Sequence, residues 1–324
     1  MRAIWWRLAG CCLALVRGRA SGGWFRATLL SLAAMAGLVL AGSWATGEAQ
    51  EYSAYEDPEK PAISLILSEE QNVEEFWEEF GLSDGEVEEA RAAVLKENEA
   101  LAREYAESEQ IVEANEELPA ERVEDKIAAS DYDEEVRAAV AETKATIEAL
   151  LPEERRPEFK VWVDEKFVQE GQEVSEDSSA TYQAAARGIR CKVFATQYHG
   201  YTRYEVALPH KILKEKYLNG NPLRVRIRRG DDHARARVKE VGPWNIRDNY
   251  WQSRRYRDMW RNLDRCKPEA QAAYFHNYNH GEDQFGREVL NPAGVDLTPR
   301  VARRMGLDKY QNAWVYVRYP WVRR

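Results

Sequence analysis

The sequence predicts an α+β multidomain protein, an acidic helical region followed by a small basic β-barrel. Three observations predict it. The first is charge: residues 46–180 carry 41 acidic and 12 basic groups, whereas residues 181–324 carry 14 acidic and 29 basic. A modest net charge of −9 therefore conceals two halves of opposite sign. The second is periodicity, which is helical between Ser68 and Glu170 and turns to short alternating runs after Cys191. The third is length, since 324 residues exceed one average domain.

The N-terminus reads as an export segment. Arg2, Arg7, Arg17, Arg19 and Arg26 are its only charges up to residue 45, and residues 27–45 form an uncharged apolar run. Small residues at Ser43 and Ala45 suit cleavage after Ala45. The run is also long enough to stay as an anchor. The expected location is secreted or in the cell envelope. Cys11 and Cys12 fall inside this segment, leaving Cys191 and Cys266 for the exported part. In an oxidising compartment these two pair most simply as a disulfide, and in a reducing one they stay free thiols. They are 75 positions apart and match no zinc-ligand spacing.

Residues 46–67 contain Pro58 and Pro61 and read as a linker. From Ser68 onward Val73, Phe76, Trp77 and Phe80 share one helical face, and Gly81 is a stop signal. Ser83 or Asp84 caps the next helix, whose stripe is Val87, Ala90, Val94, Leu95, Leu101 and Tyr105. A third helix follows Pro119, a fourth spans 132–151, and a fifth covers 156–170 with Phe159, Trp162, Val163 and Phe167. No heptad is sustained, so a small bundle is expected over 68–170. Its acidic charge serves solubility, or docks the protein's own basic half or a cationic partner, and no carboxylate stands out as catalytic. Residues 171–189 are polar and read as a second linker, with the barrel domain over 190–324.

In that last part, residues 192–201, 204–208, 222–229, 234–241 and 313–319 read as strands. Short helices are expected at 209–217 and 299–305. Several short strands with two small helices in about 130 residues indicate a compact barrel.

Two motifs stand out. One is Glu240-Val241-Gly242-Pro243-Trp244, and the other is Val295-Asp296-Leu297-Thr298 with the short helix and closing strand after it. Together, over about residues 190–320, they resemble the rare lipoprotein A family of double-psi β-barrels, which is related to expansins and to a group of lytic transglycosylases. The resemblance implies a six-stranded double-psi barrel. It places Glu240 at the family's first Asp, Asp296 at the Asp of the second motif, and Val241 where the family has Arg. About fifty residues separate the motifs here, far more than the family usually has. The insertion, 245–292, interleaves Trp251, Trp260 and other aromatics with Arg247 and five further arginines between 254 and 265.

The same resemblance makes Asp296 the acid/base candidate, because a lytic transglycosylase needs a single carboxyl to protonate the leaving oxygen and then deprotonate the sugar's own attacking hydroxyl. Glu240 is the candidate second carboxylate. Tyr198 and His199 end the first strand and could line the same groove. Trp244, Trp251 and Trp260 offer faces that stack on sugars, and Arg247 a fork for carboxylates. Each has a plainer role open to it: Asp296 as cap of the following helix, the aromatics as packing for the insertion. His276 and His280 would form a metal pair only on a continuous helix, and the Asn-rich surroundings argue for a loop; no metal or cofactor is expected.

Three functions compete on these residues. One is lytic-transglycosylase-like cleavage of peptidoglycan, and another is expansin-like binding of wall polysaccharide without cleavage. The last is an assembly role in which the acidic helices recruit a protein partner. The expected partner is peptidoglycan or another anionic wall glycan, attracted by the basic barrel. Export argues against nucleic acid, and membrane contact is expected only through an uncleaved N-terminal segment.

Overall fold

A computed structural model describes residues 52–115, 117–180, 188–198 and 203–322. The expected export segment and His199 lie outside the described residues. Ser53–Arg324 form one compact unit.

The helical half begins earlier than the periodicity implied. Helix α1 (Ala62–Ile66) is wholly buried, within the stretch expected as a linker. It is five residues long, too short for periodicity to separate it from a loop. Helix α2 (Glu70–Phe80) stops at Gly81, whose left-handed φ of +67° lets its N–H bond Trp77 O. Helix α3 (Asp84–Ala114) opens with a capping box: Ser83 accepts from the Glu86 N–H, and Glu86 returns to Ser83 N. Helices α4 (Ala120–Ala128) and α5 (Tyr132–Leu150) lead to α6 (Arg156–Ala180). Thus α6 runs ten residues past the boundary expected at 170. The polar composition there marks a helix carried on, which local composition alone does not separate from a linker. Gly171 sits within it because Phe275 packs close: an added Cβ would lie 3.2 Å from that ring. Phe76, Phe80, Phe159 and Trp162 form an aromatic cluster with centroids 5.4–6.1 Å apart, joining α2 to α6.

Six strands close the barrel: β1 (Ile189–Gln197), β2 (Glu205–Leu208), β3 (Arg224–Arg229), β4 (Asp232–Val241), β5 (Ala293–Leu297) and β6 (Ala313–Tyr319). Their order around it is β1-β5-β2-β4-β3-β6. The pairs β1/β5 and β2/β4 are parallel and the other four antiparallel. Alternation decides which side chains fill it: Val225 and Ile227 of β3 point in, as do Val315 and Val317 of β6. Short helices α7 (Lys211–Leu218) and α9 (Pro299–Arg304) lie where the sequence placed them.

Strands β2 and β5 are buried at every residue, on the outward side as well as the inward. The helices supply that outer cover. Phe194, Trp244 and Trp314 of the barrel belong to the same apolar core as Phe76, Phe159 and Ile147 of the helices. The acidic half is therefore packed onto the barrel rather than tethered as a separate domain.

The insertion is folded onto this joint. It contributes helix α8 (Glu269–His276) and is pinned by Arg257, fully buried, which donates to Asp248 Oδ1 and to the carbonyls of Asp264 and Lys267. Helix α8 ends at Asn277 in the left-handed region, and His280 lies beyond it in a turn. His276 and His280 consequently do not share a helical face. Cys191 of β1 pairs with Cys266 of the insertion, with Cα atoms 5.1 Å apart. Closing a loop of 75 residues stabilises by about 4 kcal/mol in the chain-entropy model. The double variant Cys191→Ala/Cys266→Ala is expected to lose about that much, read as a lower urea midpoint with a somewhat steeper slope, because the uncrosslinked unfolded chain exposes more surface. A midpoint equal to the parent's would show that the insertion is held by its other contacts alone.

Candidate functional site

The site is built from one line of residues across the barrel's outer surface. Val295 and Leu297 point into the barrel, so Asp296 between them faces out. Thr196 of β1 stands opposite Asp296, Ala207 of β2 on its other side, and Glu240 of β4 beyond Ala207. Opposed residues share a face, so the four form a row. At about 4.8 Å per strand, the backbones bearing the two carboxylates stand about 10 Å apart. Ala207, between them, leaves a hollow.

Helix α3 roofs that hollow. The cleft beneath it has a volume of about 280 Å³ and is partly open to solvent, lined by Asn98, Leu101, Tyr105, Glu109 and Glu113 of α3 and by Thr196, Tyr198, Glu240, Val241 and Asp296 of the barrel. These α3 residues recur at three- and four-residue steps, one face of the helix. The same helix also buries Glu97, Asn98, Glu104 and Ser108 among its apolar contacts.

Asp296 is 5% exposed. Burial pushes its carboxyl up to about 7; the Thr196 hydroxyl, which donates to Oδ1, opposes the shift and the Glu109 charge reinforces it. Helix α9 is capped at Thr298 without a side-chain bond, so Asp296 is not its cap. Asp296 Oδ2 faces the Gly242 turn. A Cβ on Gly242 would stand 3.3 Å from that oxygen and 3.1 Å from Tyr105 Oη, and the residue's φ is +123°. Both space and conformation require glycine there.

Tyr105 comes from the acidic helix. Its hydroxyl accepts from Trp244 N at 2.8 Å, and its ring meets Trp244 edge-on at 4.9 Å. Burial and the neighbouring Glu109 charge raise its phenol well above the usual range. Arg287 ties α3 to the same turn. It donates to Asp283, to Ser108 Oγ at 3.0 Å, to Glu109 Oε1 at 2.6 Å and to Trp244 O at 2.7 Å. Glu240 is ion-paired, with Lys214 at 3.2 Å and Lys239 at 3.4 Å, and Lys214 also reaches Glu113 of α3 at 2.8 Å.

Of the residues singled out from sequence, Asp296, Glu240 and Tyr198 meet in this cavity. The other described ones do not line it. Trp244 is 2% exposed and donates from its ring nitrogen to Asn291. Trp251 is equally buried, stacked on Tyr319 at 4.9 Å inside the barrel core. Neither presents a face to a sugar, because each fills core volume. Trp260 is half-buried, edge-on to Tyr278. Arg247 is exposed and gives its fork to Asp258 at 3.1 and 3.2 Å. Tyr105, Glu109, Thr196 and Arg287 were not singled out from sequence. Tyr105 did show as a member of the α3 stripe, while an isolated Arg287 carries no local signal. Among the described residues no group of three or more His, Cys, Asp or Glu side chains is placed to hold a metal ion.

A family model described as Domain of unknown function (DUF8814) matches residues 184–318. The match spans the barrel and its insertion, Asp296 and Glu240 included, and stops short of α3. No curated protein matches the chain.

Proposed function

We propose that this protein acts on a cell-wall glycan from outside the cytoplasm, with Asp296 as the single acid/base of a lytic-transglycosylase-like cleavage and helix α3 forming one wall of the site. The observation that carries the reading is the state of Asp296. A carboxyl pushed up to about 7 keeps its proton into the neutral range, where an ordinary aspartate has lost it. Thr196 engages Oδ1, so Oδ2 is the oxygen left to carry that proton. The proton passes to the glycosidic oxygen as the C1–O bond breaks. The carboxylate then takes a proton from a hydroxyl of the same sugar, whose oxygen closes onto C1. No water is consumed, so one carboxyl suffices. The resemblance to rare lipoprotein A proteins supports the same reading, and the two parallel pairs β1/β5 and β2/β4 suit a double-psi barrel. Where that family has Arg, Val241 stands, and the nearest guanidinium comes instead from Arg287, bonded to Trp244 O.

One observation favours a second reading, an expansin-like module that binds without cutting. The roofed cavity of about 280 Å³ lies just under the roughly 300 Å³ at which ligand clefts begin, and a polymer strand needs an open trough. Cleavage of a polymer therefore requires the cleft beneath α3 to widen.

The test compares the purified chain, Asp296→Asn and Leu101→Ala on peptidoglycan sacculi and on peptide-free glycan strands, with mass analysis of soluble products. Leu101→Ala removes buried packing between α3 and the cavity. Anhydro-sugar products are expected from the parent, more of them from Leu101→Ala, and about 10²–10⁴-fold fewer from Asp296→Asn. Retention on sacculi without soluble product from any of the three chains rejects cleavage and leaves the binding module.

A further inference from the structure

The barrel has a second outer face, diametrically across from the Asp296 row. Helices cover β5 and β2, and in the strand order these stand opposite β3 and β6. On the β3 side no described element covers the sheet: Arg224, Arg226 and Arg228 of β3 and Arg235 and Arg237 of β4 are exposed, while Val225, Ile227, Ala234 and Ala236 between them are buried.

The register turns these residues into an array. Arg235 lies opposite Arg226, Arg226 opposite Arg318, and Arg318 opposite Arg190, so four arginines form one unbroken row across β4-β3-β6-β1. Arg224 lies opposite Arg237 in a second row. His233, Arg228, Tyr316 and Lys192 make a third. Like charges directly opposite one another destabilise a sheet. No ion pair joins Arg224, Arg226, Arg235 or Arg237 to a described residue. Three acids lie near these four arginines: Glu205 stands opposite Arg237 in the parallel register and lines the same face. Glu205 is buried and faces Lys239, while Asp231 and Asp232 sit at the β3–β4 hairpin end, Asp231 3.8 Å from Arg228.

The face is also concave. Two adjoining hollows of about 630 and 500 Å³ share Tyr204 and Arg235, and together run from Tyr316 and Arg318 to Arg300 and Arg237. Their aromatic walls are already arranged against cations: Arg190 lies 4.9 Å from the Tyr316 ring centre and Arg300 4.7 Å from that of Tyr204.

We infer that this trough is a binding site for a linear polyanionic glycan, one that carries acidic groups along a chain of sugar rings. The four-arginine row offers a guanidinium about every 5 Å, set by strand spacing, and guanidinium forks suit repeated carboxylates. The tyrosines supply faces for the rings between the charges. Charge complementarity selects an anionic chain, and a continuous trough with aromatic walls fits a strand better than a flat lipid surface. The inference rests on the reading of the partner as a wall glycan, and it assigns the polymer's grip to the face away from Asp296.

The test uses the purified chain and measures binding to polygalacturonate, with neutral dextran, phosphatidylglycerol-containing vesicles and oligothymidylate as the other arms. Polygalacturonate is expected to bind most tightly and to weaken as salt rises. Arg226→Glu together with Arg235→Glu should weaken it about 100-fold, on the order of tenfold for each guanidinium–carboxylate bond removed. Arg254→Glu, in the insertion, should change little. A thermal melt separates this from misfolding. Arg226→Glu puts an acid between Arg235 and Arg318, so that variant should melt no lower than the parent while binding less. Tighter binding to vesicles or to oligothymidylate, equal binding to dextran, or full binding by the double variant would each overturn the proposal. Asp296→Asn should bind as the parent does. A failure to cleave thus bears on Asp296 alone, and a failure to bind bears on the arginine face alone.

Discussion

Arg287→Met is expected to destabilise the protein by about 3–5 kcal/mol, the usual consequence of stripping one partner from a buried ion pair. Arg287 and Asp283 are both fully buried, and Glu109 largely so. Burial already raises the Asp283 carboxyl with Arg287 beside it, and without the guanidinium nothing offsets that. Two hydrogen bonds to neutral groups, Ser108 Oγ and Trp244 O, go as well. The measurement is urea unfolding of the parent, of Arg287→Met, of Asp283→Asn and of the double variant. Since the two residues act as a unit, the double variant should lose clearly less than the sum of the singles. Additive losses would show that Arg287 stabilises chiefly through α3 and not through Asp283.

Asp296→Asn is expected to stabilise the protein at pH 8 and to leave it nearly unchanged below pH 4. The carboxyl ordinarily ionises near 3.8 and here does so near 7. Below 3.8 the folded and unfolded forms are both protonated and the site contributes nothing to the pH dependence. Between about 4 and 7 the unfolded chain releases its proton while the folded one keeps it, so stability falls as pH rises. Above 7 the full penalty applies. At about 1.4 kcal/mol per unit it amounts to at most about 4 kcal/mol. Asparagine keeps an oxygen for Thr196 and has no proton to lose. Glu109 on α3 is the charge facing Asp296, and it adds to the penalty. Urea midpoints of both chains at pH 4, 6 and 8 check this. A variant less stable than the parent at pH 8 would mean that the carboxylate is welcomed there, and the acid role would fall with it. The expected trade, stability given up to hold a proton, is common at catalytic groups.

Much of this was legible beforehand where a local rule was decisive. Gly81 and Ser83 marked helix ends through backbone conformation and capping, which act within one turn. Alternation at 222–229 and 234–241 marked β3 and β4 as strands. Pairing of Cys191 with Cys266 was one of two readings open for the two cysteines beyond residue 45, and the structure shows the bond. Asp296 and Glu240 came from the likeness of their motifs, and the strands then set both on one row. What stayed hidden depends on residues far apart in the chain. Nothing in residues 101–109 says that Tyr105 and Glu109 roof a barrel groove, because their partners are 139 and 178 positions away. The aromatics of the insertion misled for the same reason: composition suits a sugar platform and a core equally, and only packing told Trp251 from a surface residue. The arginine row was invisible too, since cross-strand register is a property of pairing, not of any one strand.

The single core shared by helices and barrel bears on how this protein can be inherited. A gene fragment encoding the barrel alone would leave Phe194, Trp314 and Trp244 facing water, and with them the outer sides of β2 and β5. Such a product would clump before it could be selected for anything. The barrel of this chain is therefore not a portable cassette. Any rearrangement that moves it must carry α3 along or supply another cover of the same shape, so the two oppositely charged halves are bound to evolve as partners.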